Sequence, residues 1–183
     1  LSTSIFKSAL NLVTGEPYFE DVGEFCNRYF TYVASFGAFT RVSYETKQKD
    51  KNRFGHAAYL MGGLLSIGDI KPFKVKVTCD DIVDEGEFIF GAVTNSTSVG
   101  GVMRLSDDQV NLRDGKFEVM LVRNPDKPGQ IGQLIDEAVN RHYDGKLISL
   151  RHAAKIRFES QTPLAFTLDG ENGGEHTDCQ AVN

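Results

Sequence analysis

Phe73-Lys74-Val75-Lys76-Val77-Thr78 is the stretch that decides the fold class. Two lysines and a threonine alternate with Phe73, Val75 and Val77, the two-residue period of a strand with one face packed and the other wet. Toward the C-terminus, Glu87-Phe88-Ile89-Phe90-Gly91-Ala92-Val93 and Lys116-Phe117-Glu118-Val119-Met120-Leu121-Val122 are rich in aromatic and β-branched residues and predict two more strands. Ile148 to Phe158 and Leu164 to Leu168 predict a further pair, and Tyr29-Phe30-Thr31-Tyr32-Val33 predicts one on the N-terminal side. Helical spacing is confined to Ser4 to Val13 ahead of Gly15, to His56 to Leu65, and to Gln130 to Arg141 behind the breaker Asn124-Pro125-Asp126-Lys127-Pro128-Gly129. Many strands with two or three helices define a mainly β (α+β) chain, a distorted two-layer β-sandwich decorated by helices.

The 183 residues suit one domain with a core of its own, and 25% charged and 40% hydrophobic residues are near globular averages. A net charge of -5 gives no overall attraction to phosphodiester backbones, so nucleic acid is not expected as a partner. No apolar run reaches the roughly 20 residues a membrane-spanning helix needs. Cys26, Cys79 and Cys179 are an odd set without a CxxC pair, which argues against a disulfide framework and a structural zinc site and favours a reducing cytosol. His176 and Cys179 fall in a polar tail with no further ligand near them in sequence. Because the chain begins with Leu1, it is expected to be a piece of something longer.

The motifs that are missing narrow the chemistry. No GxGxxG, HExxH or GxSxG sequence occurs, and Gly63-Leu64-Leu65-Ser66-Ile67-Gly68-Asp69 has an aspartate where a phosphate-binding loop needs lysine. Three polar segments remain. Phe166-Thr167-Leu168-Asp169-Gly170-Glu171 is a β-prone run that stops at two carboxylates, and a carboxylate at a sheet rim can take a proton from a substrate hydroxyl. Asp-Gly is equally a common tight turn with no chemistry at all. Val93 to Gly101 is a polar, glycine-ended loop whose hydroxyls and peptide N–H groups suit a ligand or a simple turn. Asn111-Leu112-Arg113-Asp114-Gly115-Lys116 enters a strand through another Asp-Gly turn, where the aspartate can also ligate a hard cation. The acidic group Asp80, Asp81, Asp84, Glu85 and Glu87 has the composition of a solvated edge.

Four segments in order resemble the C-terminal domain of the bacterial diacylglycerol kinase-like lipid kinases, a family related to sphingosine and ceramide kinases. They are Arg28 to Thr40, Asn95 to Gly101, Asp114-Gly115-Lys116-Phe117-Glu118-Val119 and Leu168-Asp169-Gly170-Glu171, and the likeness runs from about Gly15 to Glu175. The resemblance implies an interdomain helical segment over 1–15 and a β-sandwich C-terminal domain over 16–183. ATP would be bound mainly by a separate N-terminal domain carrying Gly-Gly-Asp-Gly-Thr, a sequence this chain lacks. The chain alone is then expected to be inactive.

Carried over by position, Asp169 is the general base toward a lipid alcohol and Glu171 supports the same site, with Asn95, Gly100 and Gly101 on the substrate side. A Mg2+ ion would be held by Asp114 and the carbonyls of Asn111 and Lys116. The resemblance further implies transient contact with the cytoplasmic face of the inner membrane and leaves room for a homodimer; Phe36 and Phe39 could insert apolar surface there, but two phenylalanines in a β-rich chain belong more often to the core. Asp169→Asn is expected to cut turnover at least a hundredfold with little effect on folding. A non-catalytic β-sandwich binding through the Asn95 to Gly101 loop, and a kinase of NAD or another alcohol, are the alternatives.

Overall fold

In the computed structural model, residues 5–37, 71–99, 103–106 and 110–183 are described. Helix α1 (Ile5–Thr14) precedes β1 (Gly23–Phe25), β2 (Arg28–Phe30), β3 (Val33–Gly37), β4 (Phe73–Cys79) and β5 (Ile82–Thr94). A short pair, β6 (Ser98–Val99) and β7 (Met103–Arg104), is followed by β8 (Phe117–Arg123), helix α2 (Gln130–Asn140), β9 (Ile148–Ala153), β10 (Lys155–Leu168) and β11 (Glu171–Val182). The mainly β sandwich expected from the sequence is what the chain builds. The predicted His56 to Leu65 helix lies outside the described residues.

Two long strands organise the sheet. β5 and β10 each change neighbour half-way: their first halves pair with β4, at Phe73↔Phe88 and Ile156↔Cys79, and their second halves with β3, at Val33↔Thr94 and Phe166↔Phe36. β3 and β4 thus sit end to end between the same two strands, which curls the sheet toward closure. From β5 it continues through β8 to β9, and from β10 through β11 to β1 and β2, every pair antiparallel.

One core fills the inside of the curl. Phe25, Phe30, Phe36, Phe88, Phe117, Phe158 and Phe166 meet there with Val75, Val77, Val119, Leu121 and Ile156, all buried. Phe36, Phe158 and Phe166 form a triangle of tilted rings with centroids 5.5–5.8 Å apart, an arrangement that adds to area burial. Gly91 faces Phe36 across the β3–β5 pair, and a Cβ there would stand 2.2 Å from the ring, so only glycine admits this packing. A second core lies on the other face of β5 and β8, where Ile89, Met120, Val122 and Ile148 receive Leu134 and Ala138 of α2. This explains why Phe117 to Val122 reads as one apolar run: alternate residues serve two cores.

Several sequence expectations are corrected. The strand predicted over Tyr29–Val33 breaks at Thr31 and Tyr32 because their N–H groups turn to a side chain, described below. The strand predicted over Ile148–Phe158 divides at Ala154, and its second part runs on through Leu168 as β10. The tail thought to be merely polar is β11, a 12-residue strand paired with β10 despite its poor β propensity. The acidic group is more than a wet edge. Asp84 pairs with Arg123 and Arg151, and the Asp80 carboxylate accepts from the N–H groups of Ala154 and Lys155. Phe36 is fully buried and is not a membrane-inserting residue, while Phe39 lies outside the described residues.

Candidate functional site

The Asp-Gly hairpin between β10 and β11 carries the first element of the site. Leu168 pairs with Glu171, and Asp169 (φ 51°) and Gly170 (φ 89°) both take the left-handed backbone that a two-residue hairpin turn needs. The turn aims the Asp169 carboxylate at the β2–β3 junction. Its Oδ1 accepts from the peptide N–H groups of Tyr32 (2.9 Å) and Val33 (2.8 Å), and its Oδ2 from the N–H (2.8 Å) and hydroxyl (3.2 Å) of Thr31. The Asp169 N–H in turn donates to the Val33 carbonyl at 2.8 Å. Asp169 is nevertheless exposed, and so is Glu171, which opens β11 across the turn.

Tyr32 joins this turn to the Asn95 loop. Its carbonyl accepts from the Thr94 hydroxyl at 2.7 Å and from the Asn95 N–H at 3.1 Å. The buried Asn95 side-chain NH2 donates to the carbonyls of Asp21 (2.9 Å) and Leu112 (3.3 Å), while its Oδ1 is buried without a partner among the described residues. From there the network reaches the third predicted segment. Asp21 Oδ2 accepts from the Gly115 N–H at 2.8 Å, and Asp114 Oδ1 accepts from the Lys116 N–H at 3.0 Å.

The three segments singled out in the sequence are therefore one hydrogen-bonded assembly, with Asp169, Asn95 and Asp21 at its nodes. Asn111, Asp114 and Lys116 are exposed on its rim, whereas Gly100 and Gly101 lie outside the described residues. Sequence reasoning missed three members. Thr31 lies within the Arg28 to Thr40 likeness but was assigned no role, and Asp21 is an ordinary acid of a polar stretch. Glu118 did carry a signal, being the one charged residue inside an apolar run that serves two cores.

Glu118 is the buried acid of the assembly. It is 1% exposed with Oε2 unpartnered among the described residues. Burial pushes its carboxyl up to about 7, the negative charges of Asp114 and Asp21 add to the push, and the N–H groups of Glu118 and Ser96 oppose it. The expected Mg2+ ligands sit together on the rim: the exposed Asp114 carboxylate belongs to the same short turn as the Asn111 and Lys116 carbonyls, hard oxygen donors of the kind Mg2+ would take. A separate cavity of about 430 Å³, lined by Lys74, Lys76, Glu85, Glu87, Glu159 and Gln161, opens along β4 and the first halves of β5 and β10, away from this assembly.

Together these features define a curled antiparallel β-sandwich with an acidic rim and no phosphate-cradling loop of its own in sequence. Residues 33–182 match the family described as the YegS C-terminal NAD kinase beta sandwich-like domain, and the chain belongs to that family. Among curated relatives, a protein of Bacillus subtilis (strain 168) named diacylglycerol kinase is 27% identical over 170 residues, covering 93% of this chain and 56% of the relative. A Staphylococcus epidermidis protein of the same name is 29% identical over 165 residues, covering 90% of this chain and 52% of the relative. A solved diacylglycerol kinase from Bacillus anthracis superposes with a TM-score of 0.65 at 19% identity over 99% of this chain and 56% of its own, a likeness of fold. The chain thus spans little more than half the length of the relatives it matches.

Proposed function

We propose that this chain is the substrate-side domain of an ATP- and magnesium-dependent lipid kinase that phosphorylates the hydroxyl of a diacylglycerol-like lipid. Asp169 is the general base, and a separate domain of the whole protein holds ATP. The observation that carries the reading is the Asp169 carboxylate, oriented by three peptide N–H groups and still exposed at a hairpin tip. The substrate hydroxyl displaces the long Thr31 hydroxyl contact on Oδ2. As its oxygen bonds to the γ-phosphorus and the bond to the β–γ bridging oxygen breaks, its proton passes to Asp169. A positioned base of this kind contributes about 10²- to 10⁴-fold, and the remaining acceleration comes from positioning and charge neutralisation around the phosphates. Mg2+ at Asp114 and the carbonyls of Asn111 and Lys116 would neutralise the acids of the rim. The protein would work at the cytoplasmic membrane face, where its substrate resides.

The same four contacts favour a second reading in which Asp169 is only the anchor that shapes the β2–β3 junction. They also revise the expectation for Asp169→Asn, because an amide facing peptide N–H groups loses acceptors; a cost of about 1–2 kcal/mol follows. Turnover and thermal melting of the full-length variant separate the readings. A loss of at least a hundredfold in kcat while the protein stays folded at assay temperature supports the base. Near-normal kcat per folded molecule removes it. Including NAD among the acceptors tests the alternative substrate class that the family description names, and NAD phosphorylation without lipid phosphorylation would overturn the lipid assignment.

A further inference from the structure

Three soft donors that the sequence holds far apart meet beneath the β1–β2 hairpin. Cys26 is the first residue of the hairpin turn, half-buried with φ 48°, and Cys179 lies 3% exposed on β11, 153 residues away in sequence. The structure joins their sulfurs as a disulfide, which corrects the expectation that these cysteines stay unpaired. A disulfide calls for no third donor, yet a ring nitrogen of His176 lies within 4.8 Å of both sulfurs. The strand itself explains the convergence. The β10–β11 register shifts between Glu159↔Asp178 and Leu164↔His176, and at this irregularity residues 176 and 179 bring their donors together although strict alternation would part them.

His176 is held in place by its surroundings. Its ring stands edge-on to Phe25 at 5.9 Å and beside Phe166 at 6.2 Å, and Nε2 is 3.1 Å from the Gly173 carbonyl. A proton on Nε2 donated to that carbonyl leaves Nδ1 with a free lone pair, and a backbone carbonyl on the second ring nitrogen is the usual support of a metal-bound imidazole.

We propose that Cys26, Cys179 and His176 form a redox-gated site for a thiophilic cation of the zinc class. Two thiolates and one imidazole select such an ion over magnesium or calcium, and the half-exposed Cys26 side leaves the fourth position to water. In the oxidised state the sulfurs are bonded to each other and the site is closed. An external dithiol opens it by supplying two electrons and two protons: the S–S bond breaks, two thiols form, and the dithiol leaves as its own disulfide. The cation then displaces the two thiol protons to solvent. Ligation in place of the disulfide keeps the β1–β2 hairpin fastened to β11. The site stands apart from the reading of Asp169 and does not depend on it.

Co2+ is the probe, used on the full-length protein reduced with a phosphine and freed of reductant under anaerobic conditions. The expected result is thiolate-to-cobalt charge-transfer absorption that saturates at one equivalent attributable to this site and is displaced by Zn2+. Cys26→Ser and Cys179→Ser lose that absorption, His176→Ala binds at least about tenfold more weakly, and Cys79→Ser keeps it, since Cys79 is a buried free thiol outside the cluster. An independent readout needs no variant: Zn2+ should protect Cys26 and Cys179 of the reduced protein from alkylation, counted by mass spectrometry. Absence of both the absorption and the protection overturns the site. Absorption that survives in the two serine variants also overturns it, and equal binding by the oxidised protein overturns the gate.

Discussion

At the scale of single residues, the assembly around Asp169 shows how the backbone of one residue, Tyr32, can serve two sites. The Tyr32 N–H donates to Asp169 and its carbonyl accepts from Thr94 and Asn95, so any shift of the hairpin tip is passed to the Asn95 loop. Glu118 is the residue whose chemistry can be read out most directly. Its carboxyl is raised from 4.5 to about 7 in the folded protein. Between those values the native state keeps a proton that the unfolded chain releases, so stability falls as pH rises through this window, is unpenalised below it and is constant above it. Melts in a chelator from pH 4.5 to 8 should show that slope, and Glu118→Gln should flatten it and gain no more than about 3 kcal/mol above pH 7. A parent without the slope, or a variant that keeps it, contradicts the burial argument. In parallel melts without the chelator, Mg2+ should raise the Tm of the parent but not of Asp114→Ala.

At the scale of elements, helix α2 is tied to the sheet by one buried acid. Glu137 is 5% exposed; its Oε1 accepts from the Gln133 side chain at 2.8 Å, and its Oε2 from the N–H groups of Leu147 (3.1 Å) and Ile148 (2.8 Å). It supplies acceptors to the outer side of the start of β9, the side turned away from its partner β8. Glu137→Ala leaves two buried N–H groups without acceptors and should cost about 2–4 kcal/mol, measured by denaturant unfolding, whereas exposed Asp136→Ala should cost under about 0.5 kcal/mol. Equal effects of the two would show that the bonds carry no stability. This element was legible in the sequence, as helical spacing behind a Pro-Gly breaker; β4 was legible from its alternation, and β8 from its short length and its aromatic and β-branched content. β11 was not, because Glu171 to Gln180 pair through long-range register with β10 and not through propensity. For the site, the Asp-Gly turns marked Asp169 and Asp114, but nothing local announces that Thr31 or Asp21 will face them across gaps of 138 and 94 residues.

For the whole molecule, the proposed division of labour between this chain and a nucleotide-binding module follows from what each would have to hold. The described part has two buried cores, antiparallel pairing from β2 through to β9, and an acidic rim, which is enough to fold without a companion. The sequence supplies neither a glycine-rich phosphate loop nor Gly-Gly-Asp-Gly-Thr to cradle a triphosphate. Relatives of which this chain covers 52–56% have room for that second module. Expressed alone, the chain should therefore melt in a single cooperative transition and show no ATP-dependent phosphorylation of diacylglycerol in mixed micelles, while the full-length protein phosphorylates it under the same conditions. Turnover by the isolated chain would place the nucleotide on this sandwich and invert the assignment of the two halves. A chain that fails to melt cooperatively would show that the cores described here need the partner domain to form.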